Sequence, residues 1–480
     1  MNYYIGLDLG TSGVKAVIFD KHGNEINSFY REYDIISNNP NEAEEDPNIW
    51  LSKTLEIIEE IKKLDIKKDI KSMGISGQMH GLVLLDENDN VLRNAIIWCD
   101  NRTKNETEYL SNTLGDDYIM NITGNIPVSA FTITKLLWVK KNEPNIYKKI
   151  KKVLLPKDYL SYMLTNTFYT EYSDASGMGI LDIEKLEYSK ELLDKLDIDI
   201  NLFPKLIKST DIRGNLKKEF DLNINLVGGA GDQAAGAVGS GVVNSDELSI
   251  VLGSSGVVYS PLDKINKNKN VQIFSTCEYK TYHIMGVTNG CGTSLKWLKH
   301  NIFKKDYDEM MDLASNSNGV ESGLYYLPYI MGERTPILDN DAKGIFIGLK
   351  NTTNDGDMIR SVLEGIGFSI KDCFNLIDVK KNSVIISGGG AKSELFRTII
   401  ASMINKEVKR ITSDEAPSLG AAILAMVGNK EYKNINAACK KIIKIKDVTK
   451  PNKKLVKLYD EKYHIYKKIY LNNKDLFKEI

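Results

Sequence analysis

Several protein classes are excluded by what this sequence has little of. Its five cysteines, Cys99, Cys277, Cys291, Cys373 and Cys439, are scattered, and no two stand at CxxC spacing. That removes the usual zinc and redox-pair signatures and fits reduced thiols in a cytosol. There is no excess of one charge: 63 Lys and Arg oppose 64 Asp and Glu, whereas a nucleic-acid binder normally carries a basic surplus. No run of about 18 uncharged apolar residues is present to span a bilayer. The N-terminus enters Tyr3-Tyr4-Ile5-Gly6-Leu7-Asp8 without a basic and then apolar leader, so a cytoplasmic location is expected. Neither a GxxxxGK[ST] loop nor a Rossmann glycine fingerprint occurs, and no Pro- or Ser-rich linker divides the chain.

What is present is a repeated strand, glycine turn and strand. Tyr3 to Leu9 is apolar and β-prone, Gly10-Thr11-Ser12-Gly13 is turn chemistry, and Val14 to Asp20 is a second apolar run. A third strand is expected over Glu25 to Ile35, and Asp46-Pro47 reads as a helix start. Met73 to Ser76 reads as a buried strand, and Leu82 to Leu85 with Val91 to Trp98 as a hairpin. The opening theme returns at Leu248 to Leu252, Gly253-Ser254-Ser255-Gly256 and Val257 to Ser260. The echo predicts two similar α/β lobes, residues 1–245 and 246–480. Ile359 to Phe374 carries a helical apolar stripe, and Val384-Ile385-Ile386 reads as a buried strand running into Gly388-Gly389-Gly390. From Lys430 onward, lysines alternate with Ile, Leu and Tyr at helical spacing, which predicts the solvated face of surface helices.

Glycine admits positive φ and close approach of a ligand, and a turn between strands can aim successive N–H groups at phosphate oxygens. Two matched turns, with the hydroxyls of Thr11, Ser12, Ser254 and Ser255, therefore suggest a phosphate site. Asp8 stands just before the first turn. A carboxylate beside phosphates suits an intervening Mg²⁺, and it could equally order the turn by accepting backbone hydrogen bonds. Lys15 could face a phosphate or solvent. Asp232 follows Gly228-Gly229-Ala230-Gly231, where an aspartate can cap a helix, stay ionised there and accept a hydroxyl proton. Gln78-Met79-His80-Gly81, Trp98 and Asp100 offer the planar polar groups and aromatic wall that suit a sugar.

In this order the segments resemble the FGGY carbohydrate kinases, and within that family the xylulokinase branch, over nearly the whole chain. The resemblance rests on Asp8-Leu9-Gly10-Thr11-Ser12-Gly13, Gly77-Gln78-Met79-His80-Gly81, Phe131 to Val139, Leu155 to Leu160 and Gly231-Asp232-Gln233-Ala234-Ala235. In the second half it rests on Leu252-Gly253-Ser254-Ser255-Gly256, Gly332-Glu333-Arg334-Thr335-Pro336, Gly344 to Leu349, Gly388 to Ser393 and Ser418 to Ala422. Ser254 stands where the family often has Thr, and Cys99 where relatives often have Asn.

The resemblance implies an α/β fold of two ribonuclease-H-like lobes flanking a cleft, as in actin and hexokinase. It implies phosphorylation of D-xylulose by ATP with Mg²⁺. Gln78, Met79, His80, Trp98 and Asp100 would bind the sugar and Asp232 would accept its proton. Asp8 would serve the Mg-nucleotide. Thr11, Ser12, Lys15, Gly253, Ser254 and Ser255 would hold phosphates, with Gly388, Gly389, Gly390, Ala391 and Ser393 at the adenosine. The resemblance allows a homodimer. Rival readings are a kinase for ribulose or gluconate, an actin-like ATPase and a non-enzymatic sugar sensor. Glycerol is disfavoured because Gln78-Met79-His80 lacks the arginine–glutamate pair of glycerol kinases.

Overall fold

In a computed structural model that describes residues 1–377 and 383–480, the chain builds two seven-stranded sheets from one repeated motif. The first starts as an antiparallel meander of β1 (Tyr3–Leu9), β2 (Gly13–Asp20) and β3 (Glu25–Glu32). β1 and β2 are covered on both faces and read as near-continuous apolar runs; β3 lies at the edge and alternates. Its regular ladder stops at Glu32, short of the Ile35 expected. α1 (Pro47–Ile61) opens at Asp46, whose side chain accepts the Asn48 N–H, and leads into β4 (Ile70–Gly77), parallel to β1. β5 (Ile212–Asn215) and β6 (Asn225–Val227) complete the order β5-β6-β4-β1-β2-β3, with the short Ala230–Gly231 strand also beside β4. α2 (Asp232–Gly239) follows.

The second sheet contains β7 (Ser249–Leu252), β8 (Gly256–Leu262), β9 (Gln272–Ser275) and β10 (Tyr282–Thr288). After α3 (Asp355–Leu376) come β11 (Ser383–Ser387), α4 (Glu394–Ile404), β12 (Glu407–Ile411), α5 (Ala416–Gly428), β13 (Ile445–Thr449) and α6 (Lys453–Asn473). The order is β9-β10-β8-β7-β11-β12-β13. β7 pairs antiparallel with β8 and parallel with β11, as β1 does with β2 and β4. The fold is the two-lobed α/β architecture that the repeated turn predicts.

The hairpin expected after β4 takes another form. Val83–Leu85 ladders with Lys152–Leu154, and Ala95–Ile96 with Glu44–Glu45; between the two expected arms only single bridges form, Leu82 to Ile96 and Leu85 to Val91. The exposed Asp86–Asn90 turn leaves the arms free to find partners elsewhere. The lysine-rich end behaves as expected: α6 buries Tyr459, Tyr466 and Ile469 and turns its lysines outward, with the Tyr466 and Tyr329 hydroxyls 3.0 Å apart. Among the described residues no helix is long and apolar enough to cross a membrane.

α5 comes from late in the chain yet packs on β1 and β4 of the first sheet and crosses α2. The crossing is backbone on backbone. A Cβ on Gly420 would lie 1.8 Å from the Ala235 carbonyl oxygen, and one on Gly239 1.8 Å from that of Ala416. Only glycine permits this approach. α5 thereby seals a cluster of Tyr4, Val17, Ala234, Ala235, Leu419 and Ala422 against the first sheet.

Candidate active site

The first glycine turn is a closed loop in which the Gly10 N–H donates to the Gly13 carbonyl at 3.0 Å. The Tyr33 hydroxyl donates to the Gly10 carbonyl at 2.5 Å and the Tyr30 hydroxyl to the Ser12 carbonyl at 3.0 Å. In the second turn the Gly253 N–H donates to the Ser255 carbonyl at 3.1 Å. None of Gly10, Gly13, Gly253 and Gly256 has positive φ, so their value here is close approach; Gly388, at φ +86°, is the glycine that needs the left-handed region. Ser12 and Ser254 are exposed, and the hydroxyls of Ser12, Ser254 and Ser255 make no hydrogen bond among the described residues. They remain available as donors.

Lys15 is placed otherwise than a phosphate ligand would be: its Nζ lies 2.5 Å from Glu415 Oε1, just before α5. Asp8 stands opposite Lys15 in the ladder and accepts the Ser76 hydroxyl at 2.9 Å on one oxygen. Burial pushes the Asp8 carboxyl up to about 6 against that hydrogen bond, with Glu415 adding to the rise and Lys15 opposing it.

Asp232 is the first residue of α2, and Gly231 occupies the cap position. One Asp232 oxygen accepts the Gln233 N–H at 2.7 Å; the other has no partner among the described residues. The helix terminus does not keep this carboxyl at its ordinary value. Burial, reinforced by the negative charge of Asp8, raises it to about 7. This corrects the expectation of a capping residue held firmly ionised.

Asp8, Gly10, Asp232 and Gln233 line one cavity of about 160 Å³. A second of about 160 Å³ is lined by Gly388, Ala391, Lys392 and Asp414. Both share Val251, Ser387, Ala416 and Pro417, so the cavity at the adenosine-side segment adjoins that of the two carboxylates. Gly389 and Gly390 form the short helical turn beside it. The Ser393 hydroxyl is used to cap α4, accepting the Phe396 N–H at 3.2 Å. A cavity of about 600 Å³ around Tyr188 and Lys205 is lined by none of the expected residues.

The sugar-side residues meet the first turn directly. Trp98 Nε1 donates to the Thr11 hydroxyl at 3.0 Å, and Thr11 approaches Gln78 Oε1 at 3.5 Å. Gln78 Nε2 donates to Glu45 at 2.9 Å, and Trp50 Nε1 donates to the same oxygen at 2.7 Å. Met79 packs against Gly231, where an added Cβ would approach its Cγ to 2.8 Å. His80 holds φ +69°, an uncommon conformation for a side-chain-bearing residue. Its carbonyl accepts from Thr132 Oγ1 at 3.2 Å and Lys135 Nζ at 2.9 Å, and its ring lies 5.4 Å from that of Phe131. The Phe131 to Val139 signature thus clamps His80.

His80 Nδ1 lies 2.8 Å from the Gly177 carbonyl, so this nitrogen carries the proton and Nε2 is the acceptor. Burial drives the imidazole down to about 3 and keeps it neutral. Asp100 is fully buried, accepting from the Ala43 N–H at 2.7 Å and from Arg102 Nη2 at 2.7 Å. Its oxygens are occupied in fixing the loop, which corrects its assignment to the sugar.

Two further residues belong here. Arg334 reaches across from the second half with its guanidinium carbon 5.7 Å from the Trp98 ring centroid. Buried Glu45 orients Gln78. Arg334 lies in a segment that resembles the family but had no chemistry attached in sequence, and Glu45 carried no local signal.

The described residues contain no cluster of three or more His, Cys, Asp or Glu able to hold a metal alone. Asp8 has an oxygen without a protein partner in a cavity shared with Asp232. That arrangement suits Mg²⁺, which commonly takes one or two carboxylates and completes its shell with water and nucleotide phosphates.

The chain is matched by two family models: the N-terminal domain of the FGGY family of carbohydrate kinases over residues 3–239, and its C-terminal domain over residues 248–428. It is 35% identical to the xylulose kinase of Staphylococcus epidermidis, over 99% of this chain and 98% of that one. Ligand-bound xylulose kinase from Lactobacillus acidophilus superposes with TM-score 0.94 at 28% identity, over 100% of both chains. Gluconate kinase from the same organism also gives TM-score 0.94 at 28% identity, over 100% of this chain and 99% of that one. Matched in both halves and aligned along its length with these relatives, the chain belongs to the FGGY family of carbohydrate kinases.

Proposed function

We propose that this protein transfers the γ-phosphoryl group of ATP to the terminal hydroxyl of D-xylulose, giving D-xylulose 5-phosphate and ADP. The observation that carries the reading is Asp232: a carboxylate with one unpartnered oxygen, near neutral pKa, in the cavity that also holds Asp8. A base poised near the working pH combines a useful ionised fraction with a real affinity for the proton. The sugar oxygen attacks phosphorus, its proton passes to Asp232, and the bond from phosphorus to the ADP oxygen breaks. Neutral His80 accepts a sugar hydroxyl at Nε2, while Gln78 and Trp98 form the wall behind it.

The N–H groups and hydroxyls of the turns at Gly10 and Gly253 face the phosphates, and the Gly388 to Ala391 segment takes the adenosine. Mg²⁺, held by Asp8, would neutralise charge on the phosphates. Most of the acceleration in such transfers comes from positioning and charge stabilisation. A division of labour belongs to the same proposal: residues 1–245 carry the base and the sugar-binding Gln78, Met79 and His80, and 246–480 the adenosine side. It is supported by strands drawn for each sheet entirely from one side of that boundary.

Gluconate is the second reading, favoured by the equal superposition of a gluconate kinase and by the absence of a carboxylate partner on Arg334. Coupled ADP release measured with D-xylulose, ribulose and gluconate separates them. Asp232→Asn should lower kcat by about 10²–10⁴-fold with ATP affinity preserved; near-normal turnover would refute the base assignment.

A further inference from the structure

Arg334 sits on a segment held rigidly to the second half. The neighbouring Glu333 is buried and accepts from Thr288 Oγ1 at 2.6 Å, the Asn289 N–H at 2.9 Å, the Arg334 N–H at 2.7 Å and Ser369 Oγ at 3.2 Å. The Thr335 N–H donates to the Val287 carbonyl at 3.0 Å. The backbone that carries Arg334 is thus pinned to β10 and α3. Its side chain leaves this support and places its charge over Trp98, across the cleft.

The Arg334 side chain is half-buried and its guanidinium is unmatched by protein. Among the described residues no carboxylate lies within ion-pair distance of it, and none of its N–H groups donates to a protein acceptor. Glu333 is next in sequence, but its oxygens are taken by the donors just named. Buried cations elsewhere have carboxylate partners: Arg102 pairs with Asp100 and Glu44, Arg360 with Glu364, and Arg213 and Lys157 with Asp158. A guanidinium carries five N–H donors, and here they are open to solvent or to a ligand in the cleft. The ring beneath offsets part of the desolvation cost and satisfies no N–H. Trp98 lies beneath the guanidinium, and His80 and Cys99 are near enough to feel its charge. Of these, His80 presents an acceptor nitrogen, which a sugar hydroxyl would need as well.

We propose that Arg334 is a sugar-binding residue contributed by the second half of the chain, its guanidinium donating hydrogen bonds to oxygen atoms of the bound ketose while Trp98 supports its plane. This rests on the D-xylulose reading given above. It assigns complementary roles to the two sides of the cleft. His80 Nε2 accepts from a hydroxyl, and Arg334 donates to carbonyl or hydroxyl oxygens. A sugar that satisfies both is held by both lobes at once. A planar fork is suited to two adjacent oxygens, which a lysine would address only as a point charge.

The test compares wild type, Arg334→Gln and Arg334→Lys by coupled ADP release, with KM for D-xylulose and for ATP measured separately and thermal melting recorded for each. The expected result is a KM for D-xylulose raised about 10–100-fold in Arg334→Gln, the loss typical of a hydrogen bond from a charged donor. The KM for ATP stays within about 2-fold, and Arg334→Lys recovers only part of the loss. Unchanged sugar KM in a wild type that does phosphorylate D-xylulose overturns the Arg334 assignment alone. So does a fall in melting temperature with both KM values moving together, which identifies a structural prop. If Arg334→Gln does not fold, the sugar KM of Arg334→Lys decides. A wild type inactive on D-xylulose and active on gluconate overturns the xylulose reading instead, and the same comparison on gluconate then decides Arg334. If no sugar is phosphorylated, both fall.

Discussion

In the N-terminal sheet the strand before the glycine turn reads Asp8-Leu9-Gly10; in the C-terminal sheet the same place reads Val251-Leu252-Gly253. The strands around both turns pair in the same order and sense. The first turn is braced by Tyr30 and Tyr33 and touches Trp98 through Thr11. The second is braced by a helix start: the N–H groups of Gly292 and Thr293 donate to the carbonyls of Gly253 and Ser254. One scaffold, used twice, carries a carboxylate in one copy and an aliphatic side chain in the other. Two carboxylates facing the same phosphates would repel them, whereas one carboxylate with a cation does not. On the reading proposed above, the duplicated frame serves two ends of one reaction, and the carboxylate is one of the positions at which the copies differ.

The sharpest way to break this contrast is Asp8→Val, which makes the first turn like the second. We expect kcat to fall by about 10²-fold or more, with the optimum Mg²⁺ concentration displaced, as read by steady-state kinetics across a Mg²⁺ series. Retained turnover would mean that the asymmetry is incidental. A finer probe is pH. Asp232 must be ionised to accept a proton, and its carboxyl holds one below about 7. kcat/KM should therefore climb as pH rises through about 7 and level off above. In Asp8→Asn the nearby negative charge is gone, Asp232 ionises more readily, and the rise in residual activity should move to lower pH. The smallest effect concerns the last glycine of each turn. A Cβ on Gly13 would meet the Arg31 carbonyl at 2.6 Å, while one on Gly256 would meet the side-chain tips of Ile370 and Thr288 at 2.6 and 2.7 Å. Gly13→Ala should cost about 1–3 kcal/mol and Gly256→Ala less, because side chains yield more readily than backbone. Chemical denaturation of the two variants measures the difference.

Much of the fold was legible because its signals are local. Apolar runs broken by glycine marked β1, β2, β7 and β8, and Asp46-Pro47 marked the start of α1. Asp8, Gly10 and Asp232, marked out in sequence by the glycines beside them, are brought to one cavity. The site was not legible where a distant partner decides the outcome. Lys15 pairs with Glu415, 400 positions away, and nothing near either residue records it. Asp100 looked like a sugar ligand until its oxygens were found spent on Arg102 and the Ala43 N–H. The cap at α2 was displaced by one residue, and the ionisation of Asp232 is governed by burial and Asp8, neither of which a segment of small residues discloses.

The glycine crossing of α2 and α5 has a mechanical consequence. α2 begins at Asp232, and α5 begins at Ala416-Pro417, which line the cavities on the nucleotide side. With two backbones in contact at Gly239 and Gly420, no side chain separates the helices at that point. If the two sheets turn relative to one another about this crossing, Asp232 and Pro417, each at the start of one helix, would keep their spacing better than points farther from the contact.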